Sequence, residues 1–272
     1  MNEVIFLFVL GLIWIIFASM QDLRSREVSN WLSFSLIAFA LGFKFFYSFF
    51  SAGDFRFFYE GVIGLGLFFI IGNLFYYSRM FAGGDAKLMI ALGANLPLSG
   101  DLYENLRIFM IFFFIFLFVG MFYSLIWSFV LTMRNFKSFK KEFFSILMKN
   151  RKRIYFVMFI GLVLMGLGFV QNLLFYLGGL FFLLPYFYVY AKAVDEACMI
   201  KKIKSSQLTE GDWLYRDIKI GGKLIKATWA GVNKKEINLI KKKYREIIIR
   251  QGIPFVPVFL ISFLVLIYWY FG

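Results

Sequence analysis

The stretch NLRIFMIFFFIFLFVGMFYSLIWSFVLTM, residues 105–133, carries a single charge, Arg107, near its start. An α-helix needs about 20 apolar residues to cross the hydrocarbon core of a bilayer, so this segment spans a membrane with residues to spare. Similar apolar stretches run through 3–19, 31–50, 58–77, 154–170, 173–190 and 253–271, with a shorter one at 86–98. The whole chain follows the same rule. Its hydrophobic share is 61% and Phe alone contributes 40 residues, while the charged share is 17%. Soluble domains have about 45–50% apolar and about 25% charged residues, so a soluble domain of this size could not hide so much apolar surface.

The net charge of +14 raises nucleic acid as a partner, but the position of the charges argues against it. Of the 30 Lys and Arg residues, two lie in 20–30, two in 78–87, eight in 134–153 and fifteen in 192–250. Eight alternating passes, with 86–98 counted as a crossing or half-crossing, put all four basic segments on one side. By the positive-inside tendency that side is the cytoplasm, and the N-terminus lies outside. This is an orientation signal at a plasma membrane, and no nucleic-acid partner is expected. The first apolar block begins with Glu3, lacks a basic leader and ends at Asp22, so it reads as a retained span.

The expected fold is an all-α polytopic membrane protein of about 7–8 transmembrane helices with a small α+β cytoplasmic module. Residues 1–191 form the transmembrane domain, 192–252 the module and 253–272 a C-terminal transmembrane helix. Lys44, inside the second span, is expected to snorkel toward the outer interface. Within the basic loop 134–153, Phe136, Phe139, Phe143 and Leu147 fall near one helical face, which predicts an amphipathic helix lying on anionic lipid headgroups. In the module, LYRDIKI and KLIKATW flank Gly221-Gly222, a hairpin signal. Asn233 with Glu236 three residues on predicts a capped helix running to about Ile249.

His is absent and Cys198 is the only cysteine, which excludes zinc sites built from Cys and His, internal disulfides and Ser-His or Cys-His pairs. The chemistry left is that of carboxylates. Asp22 closes the first span, and Asp85 follows Ala82-Gly83-Gly84 at the mouth of the fourth. Both face the cytoplasmic interface in this topology. One reading makes them interface charges beside Arg24, Arg26, Arg79 and Lys87. The other makes them a dyad: two nearby carboxylates share a proton, one activating water and the other polarising a carbonyl. Gly83 and Gly84 permit close approach of a helix or a substrate backbone.

Asp22-Leu23-Arg24-Ser25-Arg26-Glu27-Val28-Ser29-Asn30, followed at Gly83-Gly84-Asp85-Ala86-Lys87-Leu88, resembles the archaeal prepilin and preflagellin (prearchaellin) peptidases of the type IV prepilin peptidase family of membrane aspartic proteases. Glu210-Gly211-Asp212-Trp213-Leu214 and Gly252-Ile253-Pro254-Phe255-Val256-Pro257 extend the resemblance to the C-terminal third. It implies that Asp22 and Asp85 are the catalytic pair of an aspartic endopeptidase. The implied substrates are class III signal peptides of prepilin or archaellin precursors, cut at the cytoplasmic membrane face. Ala82 departs from the first Gly of the family's GxGD motif.

One Cys cannot build the cytoplasmic Cys-x-x-Cys zinc element of bacterial relatives. No metal or cofactor is therefore expected, and peptidase activity without N-methylation is. Lys87, about 200° around an ideal helix from Asp85, is expected to reach headgroups. Asn30 is expected to cap the second span. Glu27, with Asp195 and Glu196, is a candidate to receive the basic leader of the substrate. Pro254 and Pro257 are expected to restrict or kink the last span. The rival reading is an ion- or proton-coupled transporter using the same two Asp, and a catalytically inactive assembly scaffold is a third.

Overall fold

The computed structural model describes residues 2–51 and 53–272. It divides into two units, 1–125 with 253–272, and 126–252. Among the described residues, five helices are long and apolar enough to cross a membrane. They are α1 (Asn2–Ser25), α2 (Asn30–Ser51), α3 (Arg56–Tyr77), α5 (Leu102–Arg134) and α8 (Asn172–Cys198). Three shorter helices accompany them: α4 (Gly83–Asn95), α7 (Arg151–Leu167) and α10 (Val256–Phe271). Their outward faces carry Phe, Leu, Ile and Tyr in large number, among them Phe34, Phe69, Phe114 and Tyr268, the pattern of a surface dissolved in lipid.

The first unit packs α1, α2 and α3 around α4, with α10 laid against α1. With 13 residues, α4 is about 20 Å long, shorter than the hydrocarbon core of a bilayer is thick. It is buried nearly all round, because its small residues admit neighbours at close range. A Cβ on Gly93 would stand 2.4 Å from the Phe68 Cβ and 2.5 Å from the Gly64 carbonyl, and one on Gly64 would stand 2.3 Å from the Gly93 carbonyl. Only hydrogens fit at that crossing of α3 and α4.

A helix that ends in a buried, apolar setting leaves carbonyl groups without partners. Here Leu96, Pro97 and Leu98 continue as buried irregular chain, and polar side chains meet it. The Lys44 Nζ donates to the Pro97 carbonyl at 2.7 Å. The Asn105 Oδ1 accepts from the Leu98 N–H at 2.9 Å and from the Ser99 N–H at 3.2 Å, while its Nδ2 donates to Glu60 at 3.1 Å. Lys44 is fully buried, faces Glu60 electrostatically and lies 5.1 Å from the centre of the Phe57 ring. The expected snorkelling is therefore corrected: a backbone carbonyl within the protein takes the place of the headgroup.

In the second unit α7 and α8 pack through Gly161 and Gly178; a Cβ on Gly178 would lie 2.6 Å from the Gly161 carbonyl. Helix α6 (Phe136–Lys149) is amphipathic as expected, but its apolar face is turned to protein. Phe139, Phe143 and Leu147 pack with Ile146, Ile154, Val189 and Ala193, and Phe136, Phe144 and Met148 stay exposed.

Residues 192–198 form the last turns of α8, and strand β1 (Ile200–Lys204) begins just after it. It joins β5 (Glu246–Arg250) and β2 (Trp213–Leu214) in an antiparallel sheet of order β1-β5-β2, with Ile200 opposite Arg250. The hairpin β3 (Ile218–Ile220) and β4 (Lys223–Ile225) turns at Gly221 and Gly222, both at positive φ, as the glycine pair predicts. Helix α9 (Lys234–Lys243) is capped by Asn233: its side chain accepts from the Glu236 N–H at 3.0 Å and Glu236 returns the bond at 2.9 Å. The helix ends earlier than expected. Ile247-Ile248-Ile249 is β-branched, alternates in burial and completes the sheet instead.

Two outcomes test this packing. Gly93→Val should prevent the α3–α4 crossing and abolish recovery of folded protein. Lys44→Met should orphan the Pro97 carbonyl, costing about 1–3 kcal/mol, and so lower the melting temperature in detergent well below that of Lys226→Met, a control at an exposed position.

Candidate active site

Asp22 lies in the last turn of α1 and is buried, with 6% of its surface exposed. Its carboxylate Oδ2 accepts the Val256 N–H at 3.0 Å, and the neighbouring Phe255 N–H also faces it. Phe255 and Val256 are the N-cap and first residue of α10, whose opening N–H groups have no partner within the helix. A carboxylate there satisfies them and complements the positive end of the helix dipole. Pro257, in the first turn, has no N–H to satisfy and starts the helix without kinking it.

Asp85 is the third residue of α4 and is 8% exposed. Its Oδ2 accepts the Ala82 N–H at 3.2 Å, the acidic half of a capping box. Ala82 sits at φ −71° and ψ 163°, ordinary extended backbone that any residue adopts. The departure from Gly at this position therefore leaves the turn unstrained. Gly84 lies against Val28 of the α1–α2 connection, where an added Cβ would make ordinary contact at 3.4 Å, and Gly83 has similar room beside Tyr76 at 3.8 Å. The close approach expected of this pair belongs instead to Gly64 and Gly93.

The two carboxylates, from separate helices, lie within electrostatic reach of each other. Arg26, just past α1, and Tyr123 of α5 also face Asp22. An aromatic floor supports the α10 end: Phe81 contacts Phe255 with ring centres 5.9 Å apart, and Phe116 contacts Phe255 at 5.8 Å and Phe259 at 4.6 Å. Tyr123 gives little signal in the sequence, being one hydroxyl in a long apolar run. The motif around Pro254 and Pro257 was visible, but its backbone donors were not.

The remaining expected residues divide. Lys87 donates to the Asn30 Oδ1 at 2.7 Å, which corrects both expectations for the pair. Lys87 ties the start of α4 to the start of α2, and Asn30, as the first residue of α2, spends its side chain on Lys87 instead of capping. Glu27 is exposed on the α1–α2 connection, close in sequence to Asp22. Asp195 and Glu196, in the second unit, are held by Arg250 at 3.0 and 3.2 Å, and the Tyr215 hydroxyl donates to Glu196 at 3.2 Å. Those two acids fasten α8 to the sheet and are not free to receive a basic leader.

Residues 9–128, which include both Asp22 and Asp85, match one known family. It is the Type IV leader peptidase family. The resemblance read from the two Asp motifs is borne out at that level. Preflagellin peptidases of Methanococcus maripaludis and Methanocaldococcus jannaschii are each 33% identical to this chain over 90 residues, which is 33% of this chain and 38% of theirs. The preflagellin peptidase of Methanococcus voltae is 32% identical over 92 residues, with the same shares. The match thus spans well under half the length of these relatives. No solved structure matches the chain.

Asp22→Asn keeps a side-chain oxygen for the Val256 N–H, whereas Asp22→Leu orphans it at a cost of about 1–3 kcal/mol. The Asn variant should melt near the wild type and the Leu variant clearly lower, as measured by thermal unfolding in detergent.

Proposed function

We propose that the chain is a membrane aspartic endopeptidase with Asp22 and Asp85 as its catalytic pair. The observation that carries this reading is the placement of two buried carboxylates, from the ends of different helices, α1 and α4, within electrostatic reach of each other. Two carboxylates so placed do not readily both ionise, so they share one proton. The ionised member takes a proton from water as the hydroxyl attacks the scissile carbonyl carbon. The protonated member donates to the carbonyl oxygen as it gains negative charge. Collapse of the tetrahedral intermediate breaks the C–N bond, and the proton taken from water passes to the leaving amine. The peptide must be extended at the cut, since a helical peptide bond is shielded from attack.

The matching relatives are preflagellin peptidases, which supports archaellin or prepilin precursors as substrates. Such precursors carry a short basic leader ahead of a hydrophobic segment, which suits a site at a membrane interface. Gly83 and Gly84, lacking side chains beside Asp85, leave space for the substrate backbone, and exposed Glu27 offers a negative charge to the leader. The clustering of Lys and Arg supports an N-terminus outside a plasma membrane and the site at the cytoplasmic face. Residues 192–252 then form a cytoplasmic module, and its basic surface, with that of α6, meets anionic headgroups. Cleavage without N-methylation is part of the proposal.

Wild type should cut a class III signal-peptide precursor in membranes or detergent. Asp22→Asn and Asp85→Asn should each lose at least about 100-fold in rate while remaining folded; near-normal cleavage by either variant refutes the pair. The pH dependence of kcat/KM should be bell-shaped. Activity falls on the acid side as the base carboxylate takes a proton, and on the alkaline side as its partner loses the shared one.

A further inference from the structure

The two acids of the pair have unequal surroundings. Asp22 accepts the Val256 N–H at 3.0 Å, and it faces the Phe255 N–H and the guanidinium of Arg26. Asp85 accepts one N–H, from Ala82 at 3.2 Å, and the charge it faces is that of Asp22. The cation nearest to Asp85 in sequence, Lys87, is engaged with Asn30. Donors and positive charge favour an ionised carboxylate, and they converge on Asp22.

Arg26 is placed there at a conformational cost. Its φ is 62°, in the left-handed region that Gly occupies without steric penalty. Its N–H donates to the Asp22 carbonyl at 2.9 Å and closes the end of α1, a position where Gly is the usual choice. Arg79 is the other non-glycine residue at positive φ among those described, also just past a helix, but its side chain is exposed, whereas Arg26 is half-buried and faces both Asp22 and Tyr123. A backbone position suited to Gly therefore holds a long cation directed at the buried acid.

We propose that Arg26 is a positioning residue that keeps Asp22 in the ionised, water-activating form, so that Asp85 carries the shared proton and polarises the scissile carbonyl. This rests on the peptidase reading above and divides the labour within it. The groups facing Asp22 are Arg26 past α1, Asp85 of α4, Tyr123 of α5 and the two N–H groups of α10; Arg26 is the cation among them.

The test compares Arg26→Gly, Arg26→Gln and Arg26→Lys with Arg79→Gly as the control for backbone relief. Arg26→Gly suits the left-handed backbone and should melt no lower than wild type, which separates lost charge from lost fold. Its kcat should fall about tenfold or more, with KM for the precursor changed less than kcat, and the acid limb of its pH–rate profile should move up by about one pH unit or more. Arg26→Gln should behave alike and Arg26→Lys should recover most of the rate, while Arg79→Gly should keep the wild-type profile. A wild-type acid limb and kcat in both Arg26→Gly and Arg26→Gln overturn the proposal.

A readout independent of cleavage separates this failure from failure of the peptidase reading. In protein labelled with ¹³C at the Asp carboxyls, the Asp22 signal, assigned by its loss in Asp22→Asn, should titrate at higher pH in Arg26→Gly than in wild type. An unchanged midpoint refutes the role of Arg26 whether or not any precursor is cut. Absence of cleavage by wild type refutes the peptidase reading alone.

Discussion

The hydrogen bond from the Val256 N–H to the Asp22 carboxylate joins residues 234 positions apart and closes the first unit on itself. Without it, α10 would begin in an apolar setting with unpaired N–H groups, and Asp22 would be a buried carboxylate without donors. Each defect alone would be expensive in a low-dielectric interior. Together they cancel, because the positive end of the helix is what the anion requires. That is why a compact unit can be made from residues 1–125 and 253–272, with the intervening chain forming a unit of its own.

The same principle governs the short helix α4 at both ends. At its start Asp85 takes back the Ala82 N–H, and at its end Lys44 meets the Pro97 carbonyl while Asn105 receives the next N–H groups. A helix of this length is shorter than a bilayer's hydrocarbon core, and buried irregular chain after it is tolerated only where protein supplies the missing partners. Asn95 adds a further tie, its Nδ2 donating to the Leu7 carbonyl at 3.1 Å. Glycine contacts between α3 and α4 provide the dispersion energy, and the polar ties set where α4 begins and ends. The depth of Asp85 is thus fixed from both ends of its helix.

Much of this was legible because it is encoded locally. Apolar runs announce spans, Gly221-Gly222 announces a hairpin, Asn233 and Glu236 announce a cap, and Asp22 and Asp85 stand out as acids at the ends of apolar segments. What escaped was set by partners distant in sequence. Lys44 reads as a snorkelling residue until the Pro97 carbonyl, 53 positions on, is placed beside it. Phe139 and Phe143 read as a membrane face because nothing local shows that α8 covers them. Asp195 and Glu196 read as free acids because Arg250 lies more than fifty residues further along. The strand at 246–250 was obscured by the lysine-rich helix before it, whose capped start invited a longer reading. β-branching in three successive Ile residues was the signal that should have stopped it.

The basic character of the chain also takes on a different meaning once these partners are placed. A strongly basic chain opposes the lysine-rich leader of the proposed substrate, and Asp195 and Glu196, two of the three acids considered as an offset, are committed to Arg250. Exposed Glu27 remains, on the short connection whose next residue, Val28, packs against Gly84. That connection joins the end of the helix bearing Asp22 to the start of the helix whose Asn30 holds Lys87. Charge at long range is screened within about 8 Å at physiological salt, so an acid on this connection acts on a charge bound close beside it. In the proposed reading, recognition and chemistry rest on one short segment, residues 22–30, braced against the opening turn of α4 through Val28 on Gly84 and Asn30 on Lys87.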